Sequence, residues 1–137
     1  DDRVVLMGGW DGFVRKWDLS ASDDDGNAID SYVYIGPLVS ENLGLIKLKE
    51  LRVQLGKNSS NVTASVFTGD NAEDAYAQTS AHFTSTFSAG RNVSERRRAM
   101  SHAMYLKLGN NTADQRWTLE RAEADIALTA RKFARIY

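Results

Sequence analysis

The chain has 137 residues, with 17 Lys and Arg against 18 Asp and Glu for a formal net charge of -1, 42% hydrophobic residues and no cysteine. A chain of this length can bury roughly two thirds of its unfolded surface and needs no covalent staple, while the lack of Cys excludes disulfides, thiolate metal sites and Cys nucleophiles together. The balanced charge provides no global field for nucleic acid or an anionic membrane. No apolar run approaches the ~20 residues of a bilayer span, so the expectation is a soluble protein without membrane or sequence-specific nucleic-acid partners and without a cofactor.

The first element is Val4 to Asp18, where two short apolar runs flank Trp10-Asp11-Gly12 and the second run ends in Trp17-Asp18. Asp-Gly between alternating apolar runs is a strong hairpin signal, because a tight primed turn needs positive φ. The whole reads as one β-propeller hairpin. A propeller closes only with several blades of about four strands, and nothing after residue 30 repeats the element. The start without Met inside a strand-like run is read as that of a piece lacking its N-terminal region. Ser20 to Asn27 is a polar, turn-rich linker, which divides the chain into 1-30, hairpin and acidic linker, and 31-137, a β domain.

From Tyr32 onward, short alternating segments follow one another, separated by turn chemistry, the pattern of an antiparallel β-sandwich. Strands are expected near 31-36, 47-55, 62-68, 82-88, 103-109 and 116-128. Gly36-Pro37 is expected to end the first. Leu51, Val53 and Leu55 alternate with Arg52 and Gln54, and Gly56 to Asn61 turns the chain into Val62, Ala64 and Val66, which looks like a hairpin. Asn71 to Gln78 is rich in Ala and acidic residues and predicts a short helix near 71-78, capped by Asp70 or Asn71. The stretch from Trp117 to Arg135 fits two periods. Leu119, Ala122, Ile126, Ala130 and Phe133 have helical spacing. Ala122, Ala124, Ile126 and Leu128 alternate as a strand, with Trp117 and Leu119 on the same face if a bulge near Glu120 resets the register.

The ordered series GGWDGFVRKWD, SDDDGNAIDSYVYIGPL, LKELRVQLGKNSSNVTASVFTGDNAEDA, FSAGRNVSERRRAMSHAMYLKLGNN and QRWTLERAEADI resembles the C-terminal part of β-propeller-type structural proteins of tailed-bacteriophage virions. The resemblance covers nearly the whole chain and carries no catalytic signature. It implies a last propeller strand pair leading through an acidic Gly turn into a sandwich module, with QRWTLERAEADI as one of its strands. It further implies a non-enzymatic tail or tail-associated subunit, assembled in the host cytoplasm as a homo-oligomeric ring with other virion proteins as partners.

Several residues are candidates for chemistry. Arg91, Arg96, Arg97 and Arg98 place four guanidinium groups within eight positions, a donor patch suited to carboxylates or phosphates on a neighbouring subunit. A solvated loop is the plainer reading. Asp23, Asp25 and Asp30 are calcium candidates, but their spacing fails the EF-hand template, and no metal is expected. His82 and His102 lie far apart in sequence, without the neighbours of a metal or triad site. Asn58, Asn61, Asn92 and Asn110 begin N-x-Ser/Thr sequons, which Asn-rich turns produce by chance. Trp10 and Trp117 are glycan-stacking candidates under the alternative function, a carbohydrate-binding β-sandwich module of adhesin type, although strand tryptophans more often pack. No nucleophile, base and oxyanion donor can be assembled from the motifs present.

Overall fold

Ten strands and one short helix form among residues 4–41, 44–94 and 99–129, which are those the computed structural model describes. The strands are β1 (Leu6–Gly8), β2 (Val14–Lys16), β3 (Ser31–Val39), β4 (Leu45–Leu55), β5 (Val62–Gly69), β6 (Phe83–Phe87), β7 (Gly90–Ser94), β8 (Ala99–Ser101), β9 (Ala103–Asn110) and β10 (Leu119–Thr129), with α1 (Ala72–Ala77) between β5 and β6. Among the described residues, strands β1 and β2 pair only with each other. One four-stranded sheet has the order β3-β9-β5-β6; in the other, β10 lies along one edge of β4 while β7 and β8 share its opposite edge. All pairings are antiparallel.

Both sheets feed one apolar cluster. Ile46, Leu48, Leu51, Val53 and Leu55 of β4 join Val62, Ala64 and Val66 of β5, Met104, Leu106 and Leu108 of β9, Phe87 and Ala99, with Trp117, Leu119 and Ala122 packed against them. Within β4 the buried positions are even before Lys49 and odd after Glu50. Pairing with β10 explains the change of parity: Asp125 faces Glu50 and Ile126 faces Leu48, so Lys49 is an extra residue. A β-bulge there keeps both apolar sets on one face. The bulge expected near Glu120 is present as well, because Leu119 faces Leu55 and Arg121 faces Gln54. The stretch 117–129 is therefore read correctly by its period-2 pattern, and the helical spacing is not used.

Three expectations change. Runs 51–55 and 62–66 do not form a hairpin: β4 and β5 belong to different sheets, and the chain between them crosses over, with Gly56 N donating to Thr118 O at 2.9 Å and Ser60 N to Arg116 O at 2.7 Å. Two runs with one apolar face each are better buried across a core than side by side. Gly36-Pro37 does not end β3 either; the strand continues to Val39 with a register shift between Ile35 and Leu38. Proline is tolerated there because β3 is an edge strand. Gly36 is required, since a Cβ at this position would lie 2.7 Å from Tyr105 Cδ1 and 3.0 Å from Met104 O. Finally, the Gly90 to Arg98 segment is not simply a loop. Its first part is β7, whose edge position on β4 satisfies backbone groups that alternation alone did not reveal.

Helix α1 is capped as its sequence dictates. Asn71 is extended, and its Oδ1 accepts from Asp74 N at 2.9 Å, satisfying one of the free first-turn donors. Ala75, its one buried residue, lies against Gly69 of β5, where a Cβ would be 2.4 Å from Ala75 N. That close contact lays the helix on the β5–β9 side of its sheet.

Candidate functional site

The hairpin is the first candidate. Val4, Val5, Leu6, Met7, Phe13, Val14, Trp17 and Leu19 are all exposed, and Trp10 is 108% exposed, as open as in a free peptide. Among the described residues nothing buries these apolar side chains, and a two-stranded ribbon alone is marginal in water. Its turn differs from the expected two-residue form. Gly9 N donates to Phe13 O at 2.9 Å, Gly12 N donates to Gly9 O at 3.2 Å, and only Gly12 has positive φ, as in a three-residue loop closed by a left-handed Gly. The primed turn occurs instead at Asp25-Gly26, where both φ angles are positive and Asp24 and Asn27 exchange backbone hydrogen bonds.

Arg15 links the two turns. Its guanidinium donates to both carboxylate oxygens of Asp11, at 3.1 and 2.7 Å, and to Asp25. The guanidinium, with a hydrogen bond from Phe13 N, holds the Asp11 carboxyl down to about 2. Asp25 is thereby engaged. Asp23 instead meets Asp114, and this like-charged, hydrogen-bonded neighbour raises the Asp114 carboxyl above its ordinary value. Asp30 lines a different groove, beside Lys107. The three calcium candidates thus have three different surroundings, and among the described residues no three His, Cys, Asp or Glu side chains are grouped closely enough to hold a metal ion.

Of the arginine cluster, Arg91 lies on β7, exposed, while Arg96, Arg97 and Arg98 lie outside the described residues. The sheet gives Arg91 partners that its sequence neighbourhood did not suggest. Arg91 and Arg121 flank Gln54 in one cross-strand row, and together with Arg52 they line an open groove of about 240 Å³. Arg52 is paired with Glu50 and Arg121 with Glu123, whereas Arg91 has no ion pair among the described residues. The result is a polar face that gathers three guanidinium groups from β4, β7 and β10.

The two tryptophans set aside for glycans part company. Trp10 is at the tip of the hairpin, whereas Trp117 packs on the core and its Nε1 donates to Ser31 Oγ at 2.8 Å. Sequence reasoning missed a different aromatic group. Tyr34 lies 5.7 Å from Tyr32, 5.4 Å from Tyr76 of α1 and 6.4 Å from Tyr105, ring centroid to centroid. Lys107 Nζ stands 4.4 Å from the Tyr32 centroid, a cation–π contact. The tyrosines come from β3, α1 and β9, and only their regular alternation with buried neighbours could have signalled a shared face.

An apolar groove of about 230 Å³ opens between the edge strands β3 and β10, lined by Ile35, Leu38, Met104, Ala122, Ala124 and Ile126 among others. Among the described residues no helix is long and apolar enough to cross a membrane. No protein-family model matches the chain, and no curated protein matches it.

Proposed function

We propose that this chain is a non-enzymatic structural protein of a tailed-bacteriophage virion, a subunit of a tail or tail-associated ring. Its two sheets form a β-sandwich wall, and its β1–β2 hairpin inserts against a neighbouring sheet. The observation that carries this reading is the hairpin itself: its apolar side chains are exposed although the two four-stranded sheets share a buried apolar core. Burying a Val, Leu or Phe contributes about 1.5–3 kcal/mol each, so a partner sheet gains several such contributions at once. The order of motifs along the chain points to the phage class, and the arginine face around Arg91 supplies a polar contact of the kind that fixes register between subunits.

The test is the mass of the particle in solution. Light scattering should report a homo-oligomer, and electron micrographs should show closed rings. Replacing Leu6 and Phe13 by Ser, or Arg96, Arg97 and Arg98 together by Ala, should move the population to smaller species while circular dichroism stays unchanged. A chain that is monomeric at high concentration and indifferent to both sets of changes would overturn the assignment.

A further inference from the structure

The outer face of the β3-β9-β5-β6 sheet is ordered in rows by its register. Tyr32 pairs with Gly109, Gly109 with Thr63 and Thr63 with Thr86; in the next row Tyr34 pairs with Lys107, Lys107 with Ser65 and Ser65 with Thr84. One half of the face is thus aromatic and the other carries hydroxyls, with an ammonium at the boundary. We propose that this face is a glycan-binding site, with Tyr32 as the stacking surface and Lys107, Thr63, Ser65, Asn111 and Asp30 as the polar contacts.

Four observations carry it. First, Tyr32 is 53% exposed even with Lys107 over its ring, so ring surface remains open to the C–H face of a pyranose. Rings in edge contact, Tyr32 against Tyr34 at 85°, hold one another in place, which lowers the entropy lost on binding. Second, Thr63, Ser65, Lys107, Asn111 and Asp30 line one groove of about 250 Å³. Among the described residues, none of these five side chains forms a hydrogen bond or ion pair within the chain. They offer donors and acceptors of both kinds, which suits a ligand whose every hydroxyl both gives and accepts.

Third, the groove is smaller than the ~300–1,000 Å³ of sites that enclose a drug-sized molecule. It fits one sugar ring of a longer chain, and Tyr32, which lines the adjoining groove on the other side of Gly109 and not this one, stacks with the next ring. Fourth, Gly109 opens the space between the two halves. A Cβ there would lie 2.9 Å from Tyr32 Cβ and 3.0 Å from Ser31 O, so a side chain at this point would displace the tyrosine. The mixture of a single cation and a single carboxylate with neutral hydroxyls and an amide does not favour a strongly charged ligand such as a nucleic-acid backbone, which calls for several basic groups.

The inference stands apart from the assembly reading, since the site lies on the sheet and not on the hairpin. It is tested with the full chain on a printed array of neutral and acidic oligosaccharides, followed by titration calorimetry with the strongest spot. The expected result is retention of at least one saccharide. Tyr32→Ala and Lys107→Met should each weaken it by about tenfold or more, about 1.4 kcal/mol. Trp10→Ala should leave it unchanged. Both substituted positions are at the surface, and Thr63→Val provides an isosteric third variant should either of the others alter the circular dichroism spectrum. An array without any retained saccharide, or retention that survives Tyr32→Ala, Lys107→Met and Thr63→Val, would overturn the proposal, as would retention lost only with Trp10→Ala.

Discussion

The indole Nε1 of Trp117 donates to Ser31 Oγ at 2.8 Å, and that hydroxyl in turn donates to Asn110 O at 3.2 Å. The residue leading into β10 is thereby tied to the start of β3 and the end of β9, so this bond joins the two sheets at one end. Trp117→Phe keeps most of the packing and loses the bond, and should cost about 1 kcal/mol. Trp117→Ala also removes the ring from the core cluster and should cost about 3 kcal/mol. Urea unfolding followed by circular dichroism measures both, and a Trp117→Phe variant as stable as the parent would show that the hydrogen bond contributes nothing beyond the ring.

Acid should loosen the hairpin before it unfolds the sheets. The Asp11 carboxyl is lowered from 3.8 to about 2 by the Arg15 guanidinium. A lowered folded value contributes stability that is present above pH 3.8 and is lost as pH falls from there through about 2. The indole resonances of Trp10 and Trp17 should therefore shift in that window while β4 amides stay protected. Asp11→Asn should abolish the transition, and a shift that persists in this variant would place its origin elsewhere.

Leu51 is 2% exposed at the centre of β4, so Leu51→Ala should cost about 2–5 kcal/mol. Leu6→Ser, on an exposed position of β1, should stay within about 0.5 kcal/mol. Thermal unfolding of the two variants checks the contrast. A large loss with Leu6→Ser in the isolated monomer would mean that the hairpin packs on the sheets.

Gly69→Ala should undock α1. The added methyl would fall 2.4 Å from Ala75 N and 2.9 Å from Asp74 C, both backbone atoms that cannot swing aside. A cost of about 1–3 kcal/mol follows from overpacking. Tyr76 leaves its place beside Tyr34 and Tyr105 with the helix, which changes the near-ultraviolet circular dichroism of the tyrosines. An unchanged spectrum would count against this packing.

Alternation made the faces of the strands legible but not their partners. Leu51, Val53 and Leu55 announce a strand with one buried side, yet the same pattern is satisfied by pairing with β5 or by facing it, and only the global fold decides. The Glu120 bulge was legible because the two apolar pairs on either side of it are out of phase. Strand β7 was not. Its inward positions are Asn92 and Ser94 in place of apolar residues. Ser94 Oγ accepts from Leu51 N, and Asn92 Nδ2 donates to the Ser88 and Gly90 carbonyls, so hydrogen bonds do there what apolar burial does elsewhere. The arginine and tyrosine faces each gather residues from three distant segments, which no local window brings together.

The two bulges in the β4–β10 pair have a genetic consequence. Leu119 faces Leu55 at one end and Thr129 faces Leu45 at the other, so the extra residue Glu120 on one strand and the extra residue Lys49 on the other cancel over the length of the ladder. Each extra residue is unpaired, so deleting either codon alone leaves the partners on both sides of it opposite one another and removes only the local bend. Deleting both leaves a regular ladder from end to end. In a library of single-codon deletions scored by soluble yield, those of Lys49 and Glu120 should therefore be tolerated, whereas deletion of a paired residue such as Val53, which turns the side chains beyond it to the opposite face, should not.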